Sequence, residues 1–204
     1  MKNLLYGLVG LLVLAGTAIG GFFGLNKKQD ATYVIGDQVG NFSLPTVDGR
    51  TVSLSDVAGT SGTILIFTSN TCPFSKLYDG RILQLQDVYG DVGYPVVLIN
   101  PSDPALKPGD HPDELKKWVS GNNFSSVYLV DNGEIYLQFG AVKTPEVFLL
   151  DGEKKLRYRG AIDNSAQGAE NVSEKYLENA IRALQNNGDP DPTETRAMGC
   201  VIKA

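Results

Sequence analysis

Two cysteines, Cys72 and Cys200, are the soft nucleophiles of this 204-residue chain. Cys72 stands in Phe67-Thr68-Ser69-Asn70-Thr71-Cys72-Pro73-Phe74-Ser75-Lys76. The apolar run Thr63-Ile64-Leu65-Ile66-Phe67 before it reads as a buried strand, and an amphipathic helix follows it. Pro73 suits the first turn of that helix, where no amide donor is needed. A thiol at a helix N-terminus faces unpaired amides and the positive end of the helix dipole, which lowers its pKa. Strand, turn, Cys-Pro and helix in that order are the layout of a nucleophilic thiol, although free cysteines are often buried and inert. Lys76 and Asp79 fall on the Cys72 side of the helix. Lys76 either supports the thiolate or, with Asp79, forms solvated helix surface.

The rest of the composition narrows the chemistry. A net charge of −5 and the absence of a basic cluster with interleaved aromatics exclude a nucleic-acid partner. Zinc usually takes four ligands, and two cysteines with the lone His111 make a poor set. His111 precedes Pro112 in a polar loop and reads as solvated surface. Copper carriage by Cys72 would need a second soft ligand that the sequence does not place nearby. No metal and no cofactor are expected.

The N-terminus reads as a targeting segment. Residues 4–25 carry no charge, between Lys2 and the pair Lys27-Lys28. A run of about 20 residues suits a membrane-spanning helix. Ala15-Gly16-Thr17-Ala18 offers a signal-peptide cleavage site, but cleavage there would leave an unusually apolar mature end. Thr17 stands where a bacterial lipoprotein would have its lipidated cysteine. Residues 1–28 are therefore expected to be a membrane anchor or signal peptide, with the domain working on the outer side of the cytoplasmic membrane, in the cell envelope. The even cysteine count then permits a disulfide.

The elements that position the cysteines follow from local pattern. Residues 29–35 read as a linker, 36–188 as the domain and 189–204 as a tail carrying Cys200. Asp48-Gly49 between alternating residues predicts a hairpin, and a short helix or turn opens at Ser55-Asp56. The helix after Cys72 is expected to reach about Tyr89, with Phe74, Leu77, Tyr78, Ile82, Leu85 and Val88 on one apolar stripe. Arg81 lies within that stripe and must find acceptors. Pro95 to Ile99 is a second buried strand, which makes a right-handed strand-helix-strand unit with the first. A loop spans 101–112, a short helix 113–120 with Trp118 as a core residue, a strand 127–130 and a short helix 133–139. Strands at 147–150 and 155–160 turn at Asp151-Gly152. Ser173 is expected to cap a last helix that runs to about Asn187 and ends at Gly188.

Four blocks in this order resemble one family. Gly36 to Gly59 resembles the opening of the redoxins, the alkyl hydroperoxide reductase and thiol-specific antioxidant family. Cys72-Pro73 with Tyr78 and Arg81, Thr144-Pro145-Glu146-Val147-Phe148, Leu156 to Asp163, and Gly199-Cys200-Val201-Ile202-Lys203 resemble a peroxiredoxin-like subgroup. The resemblance spans about residues 33–203. It implies an α/β, thioredoxin-like fold with an N-terminal β-hairpin extension and a central mixed sheet flanked by helices. It also implies that Pro145 is cis beside Cys72, with Thr71, Pro73, Ser75, Lys76, Tyr78, Arg81, Thr144 and Glu146 as active-site neighbours. Ser75 replaces the second cysteine of Cys-x-x-Cys, and the Pro-x-x-x-Thr-x-x-Cys pattern of a peroxidase is missing.

The implied activity is that of a thiol oxidoreductase, by thiol-disulfide exchange or peroxide reduction. Cys72 is the expected nucleophile and Cys200, on an extended tail with reach enough to return, the expected resolving thiol. Arg81 is expected to pair with Glu146 or Asp163. The implied partners are an external thiol reductant or a disulfide substrate protein. The competing expectation is a non-catalytic binding module stapled by a permanent Cys72–Cys200 disulfide.

Overall fold

The computed structural model describes residues 32–131 and 133–203. The anchor or signal expected at 1–28 lies outside the described residues.

Two short strands, β1 (Ser43–Pro45) and β2 (Thr51–Ser53), form the antiparallel hairpin expected around Asp48-Gly49. Gly49 takes φ +83°, a backbone that side chains rarely adopt, and this closes the turn. Ser53 and Asp56 form a reciprocal capping box that opens α1 (Leu54–Val57). The chain continues through β3 (Gly62–Phe67), α2 (Pro73–Tyr89), β4 (Val96–Asn100), α3 (Pro112–Gly121) and β5 (Val127–Val130). It then runs through α4 (Ile135–Phe139), β6 (Lys143–Thr144), β7 (Glu146–Asp151), β8 (Leu156–Gly160), α5 (Tyr176–Gln185) and β9 (Cys200–Val201).

Five strands form one mixed sheet in the order β5-β4-β3-β7-β8. β3, β4 and β5 are parallel, whereas β7 runs antiparallel to both β3 and β8. Parallel strands covered on both faces are apolar at every position, and β3 shows why. Ile64 and Ile66 face a cluster built with α2, α3 and α5, through Tyr78, Ile82, Leu115, Leu177 and Ile181. Leu65 and Phe67 face the opposite cluster with Leu44, Leu54, Ile135 and Phe139. This is the thioredoxin-like layout, with the hairpin laid over one face of the sheet. Its consequence for function is geometric: β3 ends at Phe67, and the chain must turn within residues 68–72 to enter α2.

Two expectations need correction. On α2 only Tyr78, Ile82 and Leu85 of the expected stripe are buried, together with Ser75; Phe74, Leu77 and Val88 are exposed. The sheet meets the helix along a line of i, i+4, i+7 positions, which is narrower than a stripe drawn on a helical wheel. Ser173 does not cap α5, which begins at Tyr176 without a side-chain cap. Its hydroxyl instead accepts from Asn164 Nδ2 at 2.7 Å, and Asn164 Oδ1 accepts from the N–H groups of Ser173 and Glu174. Tyr33 and Ile35, just before Gly36, are packed as well. Tyr33 lies edge-on to Phe139 and donates its N–H to the Gln138 carbonyl, and Ile35 joins the same core.

Candidate active site

Cys72 is the N-cap of α2 with an extended backbone, and Pro73 occupies the first turn, as the sequence order required. Its side chain is buried, with 2% of the residue exposed. The turn that delivers it is held by a group the sequence did not single out. Asp110, 1% exposed, accepts from Ser69 Oγ at 2.7 Å, Thr71 Oγ1 at 2.8 Å, the Thr71 N–H at 3.3 Å and Asn100 Nδ2 at 3.0 Å. Burial alone would raise the Asp110 carboxyl, but the hydrogen bonds from Ser69, Thr71, Asn100 and Ser102 outweigh it and hold the carboxyl below its ordinary range. An ionised carboxylate thus anchors Ser69 and Thr71 immediately before the cysteine. Asp110 ends a short 3-10 turn, Pro108–Asp110, in a Pro- and Gly-rich segment some 40 residues downstream, so no local pattern marks it.

Thr144 and Pro145 arrive from the other side. The Thr144–Pro145 peptide is cis, and the Thr144 carbonyl oxygen lies 3.0 Å from Cys72 Sγ. Cys72 and Cys200 form a disulfide across a sequence separation of 128 residues, with their Cα atoms 5.9 Å apart. The pair is therefore brought together, as the reach of the tail allowed. β9 runs antiparallel to β6, with Thr144 opposite Cys200 and Lys143 opposite Val201. The Ile202 N–H donates to the Val142 carbonyl at 3.0 Å. Ser75, at the third position of α2, is buried, and its hydroxyl and that of Thr144 have no hydrogen-bond partner among the described residues.

The remaining expected neighbours divide into two groups. Lys76 is exposed and lines a groove with Ser69, Thr71, Asp79, Glu114 and Trp118. Trp118 donates its Nε1–H to Asp79 at 3.0 Å; burial raises the Asp79 carboxyl against that bond and the Lys76 charge. Tyr78, Arg81 and Glu146 are each tied into hydrogen bonds. Arg81 Nη1 bonds both oxygens of Asp163, at 2.8 and 2.6 Å, and the Ser165 carbonyl at 2.6 Å; it also stacks 3.7 Å from the Tyr78 ring centre. The choice left open between Glu146 and Asp163 thus falls to Asp163. Burial and then the Asp163 charge push the Tyr78 phenol up to about 12, so it stays protonated and donates to Asp163 Oδ1 at 3.2 Å. Glu146 instead accepts the N–H groups of Val142 and Lys143 at 2.9 and 3.0 Å, which fixes the turn leading to Thr144. Burial raises its carboxyl against those two bonds. Among the described residues no group of three or more His, Cys, Asp or Glu is arranged to hold a metal ion.

The chemistry available is that of one dithiol/disulfide couple. Reduction would free a thiol at a helix N-terminus, beside the Thr144 carbonyl. The chain is 31% identical over 141 residues to the methylamine utilization protein MauD of Paracoccus versutus, a match covering 69% of this chain and 64% of that protein. It is 23% identical over 160 residues to the thiol-disulfide oxidoreductase ResA of Bacillus cereus, covering 76% of this chain and 86% of that one. The crystal structure of an uncharacterized conserved protein from Geobacillus kaustophilus superposes with a TM-score of 0.79 at 30% identity, over 85% of this chain and 93% of that chain. Residues 35–159 match the AhpC/TSA family, and the chain belongs to that family.

Proposed function

We propose that the protein is a thiol-disulfide oxidoreductase whose working couple is Cys72 and Cys200. The observation that carries this reading is the disulfide between the N-cap of α2 and a tail strand paired to the cis-proline segment. Cys72 is the nucleophile, because its place at the helix N-terminus stabilises its thiolate. Cys200 is the resolving thiol, and Thr144 and Pro145 position the sulfur being attacked. Thr71, Pro73 and Lys76 shape the approach, whereas Tyr78, Arg81 and Glu146 position the backbone around it.

The cycle follows from this arrangement. Cys72 thiolate attacks a partner disulfide and forms a mixed disulfide; Cys200 attacks Cys72 and releases the reduced partner. An external dithiol then returns the Cys72–Cys200 pair to its reduced form. The name of the relative ResA supports disulfides as substrates. Peroxide is the alternative oxidant, for which Cys72 would pass through a sulfenic acid. Ser75 stands where the peroxide-reacting cysteine of the resemblance would be, which weighs against it. The apolar segment 4–25 supports a site of action at the outer face of a membrane.

The test is turnover of disulfide and of hydrogen peroxide by the wild type, Cys72→Ser and Cys200→Ser, with a dithiol as reductant. Disulfide turnover lost in Cys72→Ser supports the reading, and no turnover of either substrate overturns it. The second reading, a permanent staple, draws on the burial of Cys72. A reduction potential well below about −300 mV would favour it.

A further inference from the structure

A groove of about 590 Å³ runs beside the disulfide, between the start of α2, β6, the start of α5 and the tail. Phe74, Lys143, Tyr176, Arg196, Met198 and Gly199 line it. Three of them stand next to the redox couple. Phe74 follows Pro73, Gly199 precedes Cys200, and Lys143 precedes Thr144, whose carbonyl oxygen is 3.0 Å from Cys72 Sγ. The charges in the groove do not balance. Lys143 is half-buried and Arg196 exposed, and neither enters an ion pair among the described residues. One carboxylate, Asp163, also reaches the groove, but Arg81 neutralises it. Glu146 is turned to the N–H groups of Val142 and Lys143. Two uncompensated positive charges thus flank an apolar lining of Phe74, Tyr176 and Met198, on a chain of net charge −5.

The walls are held without help from a sulfur. The base of the tail is fastened along β8: the Arg159 N–H donates to the Thr193 carbonyl, and the Thr195 N–H to the Arg159 carbonyl, both at 3.0 Å. The Thr195 hydroxyl contacts the Tyr158 hydroxyl at 2.6 Å and accepts the Ala161 N–H at 3.0 Å. Arg196 directly follows this tether, so its place does not depend on the redox state. Beyond it the disulfide and the pairing of β9 with β6 hold the tip. Gly199 lies so close to β6 that a Cβ there would run into the Thr144 carbonyl group, which shuts this end of the groove in the oxidised chain.

We propose that this groove seats a small disulfide bearing carboxylates, with Lys143 and Arg196 as the residues that select its charge. The proposal rests on the reading of Cys72 as an exchange nucleophile and names the class of its substrate. The volume is that of a small-molecule site, apolar with a few convergent polar groups. The field of an acidic chain would by itself favour a cationic disulfide, so a preference for an anionic one must come from the local pair. The step balances as follows. Cys72 thiolate attacks one sulfur of the small disulfide, the S–S bond breaks, and the other half leaves as a thiolate. Cys200 thiolate then attacks Cys72 Sγ, and the second half leaves as a thiolate. Two electrons and two protons pass from the Cys72/Cys200 dithiol to the substrate, which ends as two thiols. The returning tip shuts the groove at Gly199 once the disulfide has formed.

The experiment uses the full chain, reduced and freed of reductant, and follows formation of the Cys72–Cys200 disulfide by quenched alkylation. The probes are oxidised glutathione, which is anionic, the neutral bis(2-hydroxyethyl) disulfide and the cationic cystamine. Each rate is normalised to that of the same disulfide with dithiothreitol. An exposed ion pair is worth up to about fivefold, so oxidised glutathione should be favoured over the neutral disulfide by about three- to tenfold, with cystamine slowest. Salt at about 0.5 M should shrink that ratio. Lys143→Gln together with Arg196→Gln should bring it to about one, whereas Lys143→Arg with Arg196→Lys, which keeps both charges, should retain it. Taking the ratio removes any effect of the two charges on the thiolate itself. No preference in the wild type, or a preference that survives the two glutamines, would overturn the proposal. If the neutral disulfide is exchanged with no preference for the anionic one, only this inference fails; if none of the three oxidises the chain, the exchange reading fails and this inference with it.

Discussion

Replacing Arg81 with methionine should remove a large part of the domain's stability without touching a sulfur. Arg81 and Asp163 are 10% and 5% exposed at their side chains and meet at 2.6 Å. Asp163 also accepts from Tyr78 and the Ser165 N–H. Methionine fills much of the same volume but leaves the carboxylate buried with neutral donors alone. Removing one partner of a buried pair costs about 3–5 kcal/mol, because the other charge is stranded. For a domain of this size that corresponds to a fall in Tm of about 6–20 °C. The assay is denaturant and thermal unfolding of the oxidised chain, with Asp163→Asn and the double variant completing a cycle. The double variant should lose less than the sum of the singles by about 1 kcal/mol or more. A loss below about 1 kcal/mol for Arg81→Met, the range of exposed ion pairs, would refute the claim that this pair pins α2 to the segment after β8.

Asp110→Asn should destabilise the fold by about 1–3 kcal/mol at neutral pH, since the amide cannot accept all the donors that converge there. The Asp110 carboxyl is held below its ordinary value of 3.8, so its contribution is present above that value and is lost as pH falls through the folded value. Urea midpoints of wild type and variant should therefore converge as pH falls below 3.8 and through the folded value, and a pH-independent gap would count against the ionised anchor. Cys200→Ser should lower the stability of the oxidised chain by up to about 5 kcal/mol, the chain-entropy value for a loop of this length. Reductant should then no longer alter its unfolding midpoint, as it should for the wild type. Thr195→Val removes the hydroxyl contacts with Tyr158 and Ala161 and should cost about 1–2 kcal/mol. It should also slow closure of the Cys72–Cys200 disulfide, followed by quenched alkylation; an unchanged rate would argue that the tail is not tethered at Thr195.

What could be read from the sequence was the chemistry that local order dictates. Pro73 after Cys72 marked the helix start, the unbroken apolar run 63–67 marked a strand covered on both faces, and Asp48-Gly49 marked the hairpin. Arg81 inside an apolar stripe announced a buried cation, but the choice of Asp163 over Glu146 depended on how the segment after β8 passes α2. Asp110 escaped notice because its partners Ser69 and Thr71 lie about 40 residues away and loops rich in Pro, Gly and Asp usually face solvent. The exposure of Phe74, Leu77 and Val88 was hidden for a related reason: a helical wheel gives the direction of a side chain, not the width of the surface that meets it. The fit of Gly199 against Thr144 needed the β6–β9 register, which no local pattern specifies.

The measurement that bears most directly on the Cys72–Cys200 couple is its reduction potential, determined by equilibration with defined dithiol buffers and read by alkylation of the two cysteines. A redox-active couple predicts a potential above about −300 mV, with Cys200→Ser trapping a Cys72 mixed disulfide. A potential well below that value, together with no exchange of any disulfide by the reduced chain, would make the bond a permanent staple and contradict the proposed catalysis.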